Sequence, residues 1–107
     1  MNLKTSFKHV EPTDILKKYL EEKSARLNKF FDGRISVSWN IAFEKQVAIA
    51  HVHVVGNHMD YFGEAEAPNF FGAIDFAIDK IERQVRKHKE VVRDHIHKHK
   101  GGIKKAS

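Results

Sequence analysis

Apolar residues along this chain recur with two rhythms, one of period two and one of period 3.6. Leu3, Thr5 and Phe7 fall on one side of Leu3–His9, with Lys4, Ser6 and Lys8 on the other, the pattern of a half-buried strand. Pro12 closes that strand, and Thr13 is placed to cap a helix. From Asp14 to Phe31 the stripe Leu16, Tyr19, Leu20, Leu27, Phe30 and Phe31 predicts an amphipathic helix of about five turns, which Gly33 is placed to end. Period two then returns. Ile35, Val37, Trp39, Ile41 and Phe43 alternate with Ser36, Ser38, Asn40 and Ala42.

Glu44-Lys45 turns the chain into a second strand, Val47–Val55. Ala48, Ala50, Val52 and Val54 lie on one face and Val47, Ile49, His51, His53 and Val55 on the other, as in a central strand with both faces partly covered. Gly56-Asn57-His58 supplies another turn, and Tyr61–Ala67 forms a third strand with Glu64 and Glu66 on its wet face. After Pro68-Asn69 the 3.6 period dominates from Ala73 to Lys100. Ile74, Ala77, Ile78, Ile81, Val85, Val92 and Ile96 share one stripe of a helix of about seven turns.

The order is therefore β-α-β-β-β-α. A strand, a crossover helix and a return strand favour a right-handed parallel pair, and two short turns favour antiparallel hairpins. Each helix has one apolar face to bury. The prediction is an α+β two-layer sandwich, a four-stranded mixed sheet with both helices packed on one face. Residues 1–100 form one domain, and 101–107 a flexible basic tail.

Charge changes the picture more than composition does. The chain of 107 residues carries a net charge of +5. Between positions 80 and 100 stand eight Lys or Arg against three acids, while the remainder balances eleven against eleven. All the excess lies along one helix, the footprint of a nucleic-acid binder or of a solvated helix that happens to be basic. Lys23 falls on the apolar stripe of the first helix, four residues from Leu27, with Arg26 three residues on. Such a lysine either snorkels along the core edge or borders a surface that wants positive charge.

Catalytic chemistry has little to stand on. There is no Gly-rich phosphate loop, HExxH or GxSxG, and without cysteine there is no thiolate. Glu21-Glu22 and Glu64/Glu66 are carboxylate pairs on polar faces, where solvation explains them. His95 and His99 have ligand spacing, and His51 and His53 share a strand face, but neither pair has an acidic or thiolate neighbour. A protein without enzymatic activity, cofactor, metal or small-molecule substrate is expected. No apolar run reaches the ~20 residues of a membrane span, and the N-terminus lacks a signal-peptide core, so a cytoplasmic protein is expected.

Trp39, Phe43, Phe30 and Phe31 occupy core-facing positions, whereas Phe62 and Phe76 point outward. Phe76 lies on the polar face of the basic helix, where it stacks on a base or is capped by the preceding loop. No RNP-type motif is present. The expected mode is backbone tracking of a folded RNA by Lys and Arg, with strong salt dependence.

At the basic helix a resemblance appears. Ala73-Ile74-Asp75 followed by Asp79-Lys80-Ile81-Glu82-Arg83-Gln84-Val85-Arg86-Lys87-His88-Lys89 closely resembles the signature of the ribosome hibernation promoting factor family, which includes the ribosome-associated inhibitor. The likeness covers residues 2 to 95. It takes in the Leu-Lys-Lys-Tyr-Leu-Glu-Glu-Lys helix, Phe31-Asp32, Glu44-Lys45 and His53-Val54-Val55-Gly56. The resemblance implies binding to the small ribosomal subunit, and so to rRNA and the whole ribosome, in the cleft of mRNA and the A- and P-site tRNAs. It implies translation inhibition in stationary phase or stress.

Carried over position by position, the rRNA-binding residues are Lys23, Arg26, Lys45, Lys80, Arg83, Arg86, Lys87 and Lys89, with Arg93 nearer the helix end. Two positions depart from the family pattern. Asn69-Phe70-Phe71-Gly72 replaces an Asp-Met-Tyr run, and Phe76 stands where a small residue is usual. Ending at Ser107, the chain resembles the short form, expected to be monomeric when free. A separate ribosome modulation factor is the further partner that form raises. Two other readings compete: a general binder of structured RNA, and a self-associating module using an open sheet face with Val47, Ile49 and Phe62.

Overall fold

The computed structural model describes residues 1–31, 33–56 and 59–97, with side chains through His88. In order come β1 (Asn2–Lys8), α1 (Asp14–Ala25), a 3₁₀ turn (Arg26–Phe30), β2 (Ser36–Glu44), β3 (Val47–Gly56), β4 (Met59–Ala67) and α2 (Phe70–His97). Strands lie in the sheet in chain order. β1 pairs parallel with β2, through the α1 crossover, and the two hairpins pair antiparallel. This is the expected two-layer α+β sandwich, with both helices on one face.

The core sits between the layers. Leu16, Leu20 and Leu27 come from the α1 arm, and Ile74, Ala77, Ile78, Ile81 and Val85 from α2. They meet Val37, Trp39 and Ile41 of β2 and the β3 row Ala48, Ala50, Val52 and Val54. One polar contact crosses the layers: the Trp39 indole N–H donates to the buried Ser24 hydroxyl at 2.8 Å, fixing α1 over β2. Thr13 caps α1 as predicted, accepting from the Leu16 N–H.

α2 lies unusually close to β4 at Gly63. A Cβ there would stand 3.0 Å from the Ala77 carbonyl oxygen and 3.3 Å from a Val52 methyl, so backbone, not a movable side chain, blocks it. Gly63→Val should destabilise the domain by about 2–3 kcal/mol through overpacking, read as a lower urea midpoint. The far side of β4 is an edge, but Gln84 donates to the outward carbonyl of Phe62 and Lys80 to that of Glu64. Those contacts occupy acceptors that an added strand would need.

Four expectations need correction. The first helix is α-helical only to Ala25, then tightens to 3₁₀ and ends at Phe30; Phe31 is already extended, so Gly33, at φ +85°, shapes the following loop instead of ending the helix. α2 begins three residues early because the Asn69 side chain accepts from the Gly72 N–H at 2.8 Å and caps it. Phe43 is 41 % exposed, since it stands near the end of β2, where the Phe70 ring at the start of α2 is the one aromatic against it among the described residues. Finally, no element among the described residues covers the second face of β3, leaving His51 and Val55 exposed. The expected tail 101–107 lies outside the described residues, as do Asn57-His58 of the turn before β4.

Candidate nucleic-acid interface

α1 and α2 both start at the end of the sheet where β1 and β4 finish, so they run side by side in the same direction. Their facing flanks make a groove. α2 advances about 100° per residue, which puts Asp75, Glu82 and Arg86 on the flank toward α1. The Lys23 ammonium lies 3.2 Å from Asp75 and 5.3 Å from the centre of the Tyr19 ring, and Tyr19 donates to the same carboxylate at 2.6 Å. Lys23 is thus neither buried nor free: it bridges the helices.

One turn further, Arg26 donates to Glu82 at 3.2 Å and lies 3.0 Å from its other oxygen. Glu82 is only 4 % exposed and also faces Arg86 at 3.9 Å, while Arg86 stacks 5.7 Å from the centre of the Phe30 ring. The buried carboxylate accepts a hydrogen bond from Arg26 and draws the more exposed Arg86 to ion-pair distance. The acids therefore do not cancel the groove; they position its cations. Lys29, 5.3 Å from the Phe30 ring centre, extends it.

The outer face of α2 is different. Arg83 and Lys87 are exposed there and appear in no ion pair among the described residues. Lys80 leans toward β4 through its bond to the Glu64 carbonyl. Lys45 is exposed in the β2–β3 turn with φ +51°, beside the start of α2 and about 20 Å along the helix from Arg83. So Lys23, Arg26 and Arg86 come together, Arg83 and Lys87 adjoin them, and Lys45 stands apart. The side chains of Lys89 and Arg93 lie outside the described residues.

Sequence reasoning missed Tyr19, Asp75 and Glu82 as the frame of this groove. The signal was present, since Asp75 and Glu82 are seven apart and share a helix flank. The Tyr19 phenol is pushed up from its ordinary 10.0 to about 12, first by burial and then by the bond to Asp75. Burial also pushes the Tyr61 phenol up. Because the fold favours neutral Tyr19, that contribution is intact below pH 10 and is lost as pH rises from about 10 to about 12. An absorbance titration should show both tyrosines ionising late, and Asp75→Asn should bring the Tyr19 step down.

The open sheet face carries the opposite character. Phe62, 64 % exposed, stacks on His53 with centroids 4.0 Å apart, and β4 corrects the expectation that His51 and His53 lack acidic neighbours: Asp60 is 2.9 Å from His53, and Glu64 is 3.8 Å from His51. Among the described residues no group of three or more His, Asp and Glu side chains is placed to hold a metal ion, and no helix is long and apolar enough to cross a membrane.

The chain therefore presents a two-helix surface rich in Lys and Arg on a β-α-β-β-β-α sandwich. The chain belongs to the family described as Sigma 54 modulation protein / S30EA ribosomal protein, whose model matches residues 3–93. It is 38 % identical over 92 residues to a ribosome hibernation promoting factor of Azotobacter vinelandii, covering 84 % of each chain. To the Escherichia coli K12 protein of the same name it is 33 % identical over 97 residues, 89 % of this chain and all of the relative. Among solved structures, the N-terminal domain of Thermus thermophilus Protein Y superposes with a TM-score of 0.78 at 30 % identity, over 82 % of this chain and 99 % of that one. A ribosomal subunit interface protein from Coxiella burnetii shares the fold, with a TM-score of 0.73 at 19 % identity over 84 % of this chain and 99 % of that one.

Proposed function

We propose that this chain is a ribosome hibernation factor. It binds the small ribosomal subunit in the cleft of mRNA and the A- and P-site tRNAs, blocks translation and preserves idle ribosomes in the cytoplasm. It acts by occupancy, without an enzymatic step. The observation that carries this reading is the groove in which buried Glu82 pairs with Arg26 and Arg86 beside exposed Arg83 and Lys87. Phosphate backbone is the ligand such a surface suits, because pre-positioned guanidiniums lose little freedom on binding and release counterions from the RNA. Family membership and relatives named ribosome hibernation promoting factor direct the choice of RNA to the ribosome.

Lys45 and Lys80 join the interface at its margins, and Lys89 and Arg93 complete the proposed rRNA-binding set. The test is sedimentation of the purified protein with ribosomes and separated subunits on sucrose gradients at moderate salt. Migration with small subunits and whole ribosomes is expected, with the peak positions reporting whether ribosomes stay single or pair. Equal affinity for any A-form duplex would favour the general RNA-binding reading. Failure to migrate with a concentration-dependent dimer would favour self-association through the open sheet face.

A further inference from the structure

Of the large aromatics at the surface, Phe76 is the one that the fold does not use. Phe71 packs edge-on against Tyr19 at 4.8 Å, Phe43 tilts on Phe70 at 5.9 Å, and Phe62 stacks on His53. Phe76 is 54 % exposed, and among the described residues no ring lies against it. More than half of its surface is open to solvent, so the preceding loop leaves it largely uncapped. Helical side chains lean toward the N-terminus, which directs Phe76 toward the turn that contains Gly72. Gly72 has no side chain with which to cover it. A flat apolar face is left open to solvent.

Its surroundings say what would cover that face. Phe76, Arg83 and Lys87 are spaced i, i+7 and i+11, which puts Arg83 and Lys87 each within about 20° of Phe76, to either side, down the outer side of α2. Lys80 lies one turn from the ring, and the one acid on this side near it is Asp79. The contrast with Phe62 is instructive: that ring sits among Asp60, Glu64 and Glu66, where a phosphate would be repelled, and one of its faces is already occupied. An aromatic face in line with two cations is the combination that holds an unpaired nucleotide, with the base stacked and the backbone paired.

We infer that Phe76 is a stacking subsite for an unpaired nucleobase of RNA, adjoining the phosphate contacts of Arg83 and Lys87. The inference rests on the proposed RNA-binding function and adds to it a contact that charge does not provide. It also sets this chain apart within its family pattern, in which a small residue at this position would offer no such face.

The test is a binding titration of the full chain against purified small ribosomal subunits over a range of salt, comparing Phe76→Ala, Phe76→Leu, Phe76→Tyr and Phe76→Trp. Phe76→Ala should weaken binding roughly tenfold, the scale of one lost base stack, with the slope of log affinity against log salt unchanged because no phosphate contact is lost. Leucine should weaken it similarly, and tyrosine and tryptophan should bind as wild type. In Phe76→Trp the added indole is exposed whereas Trp39 is buried, so emission quenched on subunit binding reports the stack directly. Undiminished binding by the alanine variant, or a leucine variant as tight as wild type, would overturn the inference and leave the proposed function standing. Absence of binding by wild type would overturn both.

Discussion

Replacing Arg83 and Lys87 together by glutamate is expected to weaken association with the small subunit by roughly a hundredfold or more at moderate salt, and to flatten its salt dependence. Two phosphate contacts would be lost and two repulsions added, at exposed cations that appear in no ion pair among the described residues. Both side chains are exposed, so the fold should be unaffected, and equal urea midpoints would confirm that binding alone has changed. Gradient sedimentation beside wild type is the measurement. The same reversal at Lys45, which stands apart from the groove, should cost much less.

Trp39→Ala is expected to have the largest effect on stability, about 3–5 kcal/mol. Trp39 heads the largest fully buried side chains, and its indole is the hydrogen-bond partner that the buried Ser24 hydroxyl has. Truncation opens a cavity between α1 and β2 and leaves that hydroxyl unsatisfied, which adds a penalty of its own. Against a typical domain stability of about 5–15 kcal/mol this is a large share. Circular dichroism during urea denaturation would read it, the intrinsic fluorophore having been removed. Trp39→Phe should fall between, since it fills most of the space but still orphans Ser24. Because Ser24 sits between Lys23 and the Arg26 turn, loosening it should also weaken ribosome association.

Much of the fold was legible because each element buries one face. α2 shows an uninterrupted 3.6 period, and β2 alternates through eight residues, so their types and directions follow from burial alone. The 3₁₀ turn did not show itself, since Leu27 and Phe30 are three apart, a spacing that both helix types satisfy. Phe43 kept the strand's alternation yet stands partly uncovered near the end of β2. Periodicity reports which face is apolar, but not whether anything covers it. For the same reason β3, apolar on both sides, read as more covered than it is.

The candidate site was legible by charge and not by contact. The basic excess on α2 stands out in a count of residues, and Lys23 stands out because it interrupts an apolar stripe. What the count could not supply is the pairing across the groove, where residues 56 apart in sequence meet: Tyr19 with Asp75, and Arg26 with Glu82. A tally of charges treats those acids as subtracting from the surface. In the fold they hold its cations in position.

The proposed function requires this two-helix surface to occupy the cleft of mRNA and tRNA. The most direct test is competition: small subunits preloaded with mRNA and tRNA are titrated with the protein, alongside empty subunits. Tight binding to empty subunits and loss of binding to loaded ones are expected, with tRNA in turn displaced as protein is raised. Equal binding to both, with tRNA retained, would contradict the proposed function and place the protein elsewhere on the subunit.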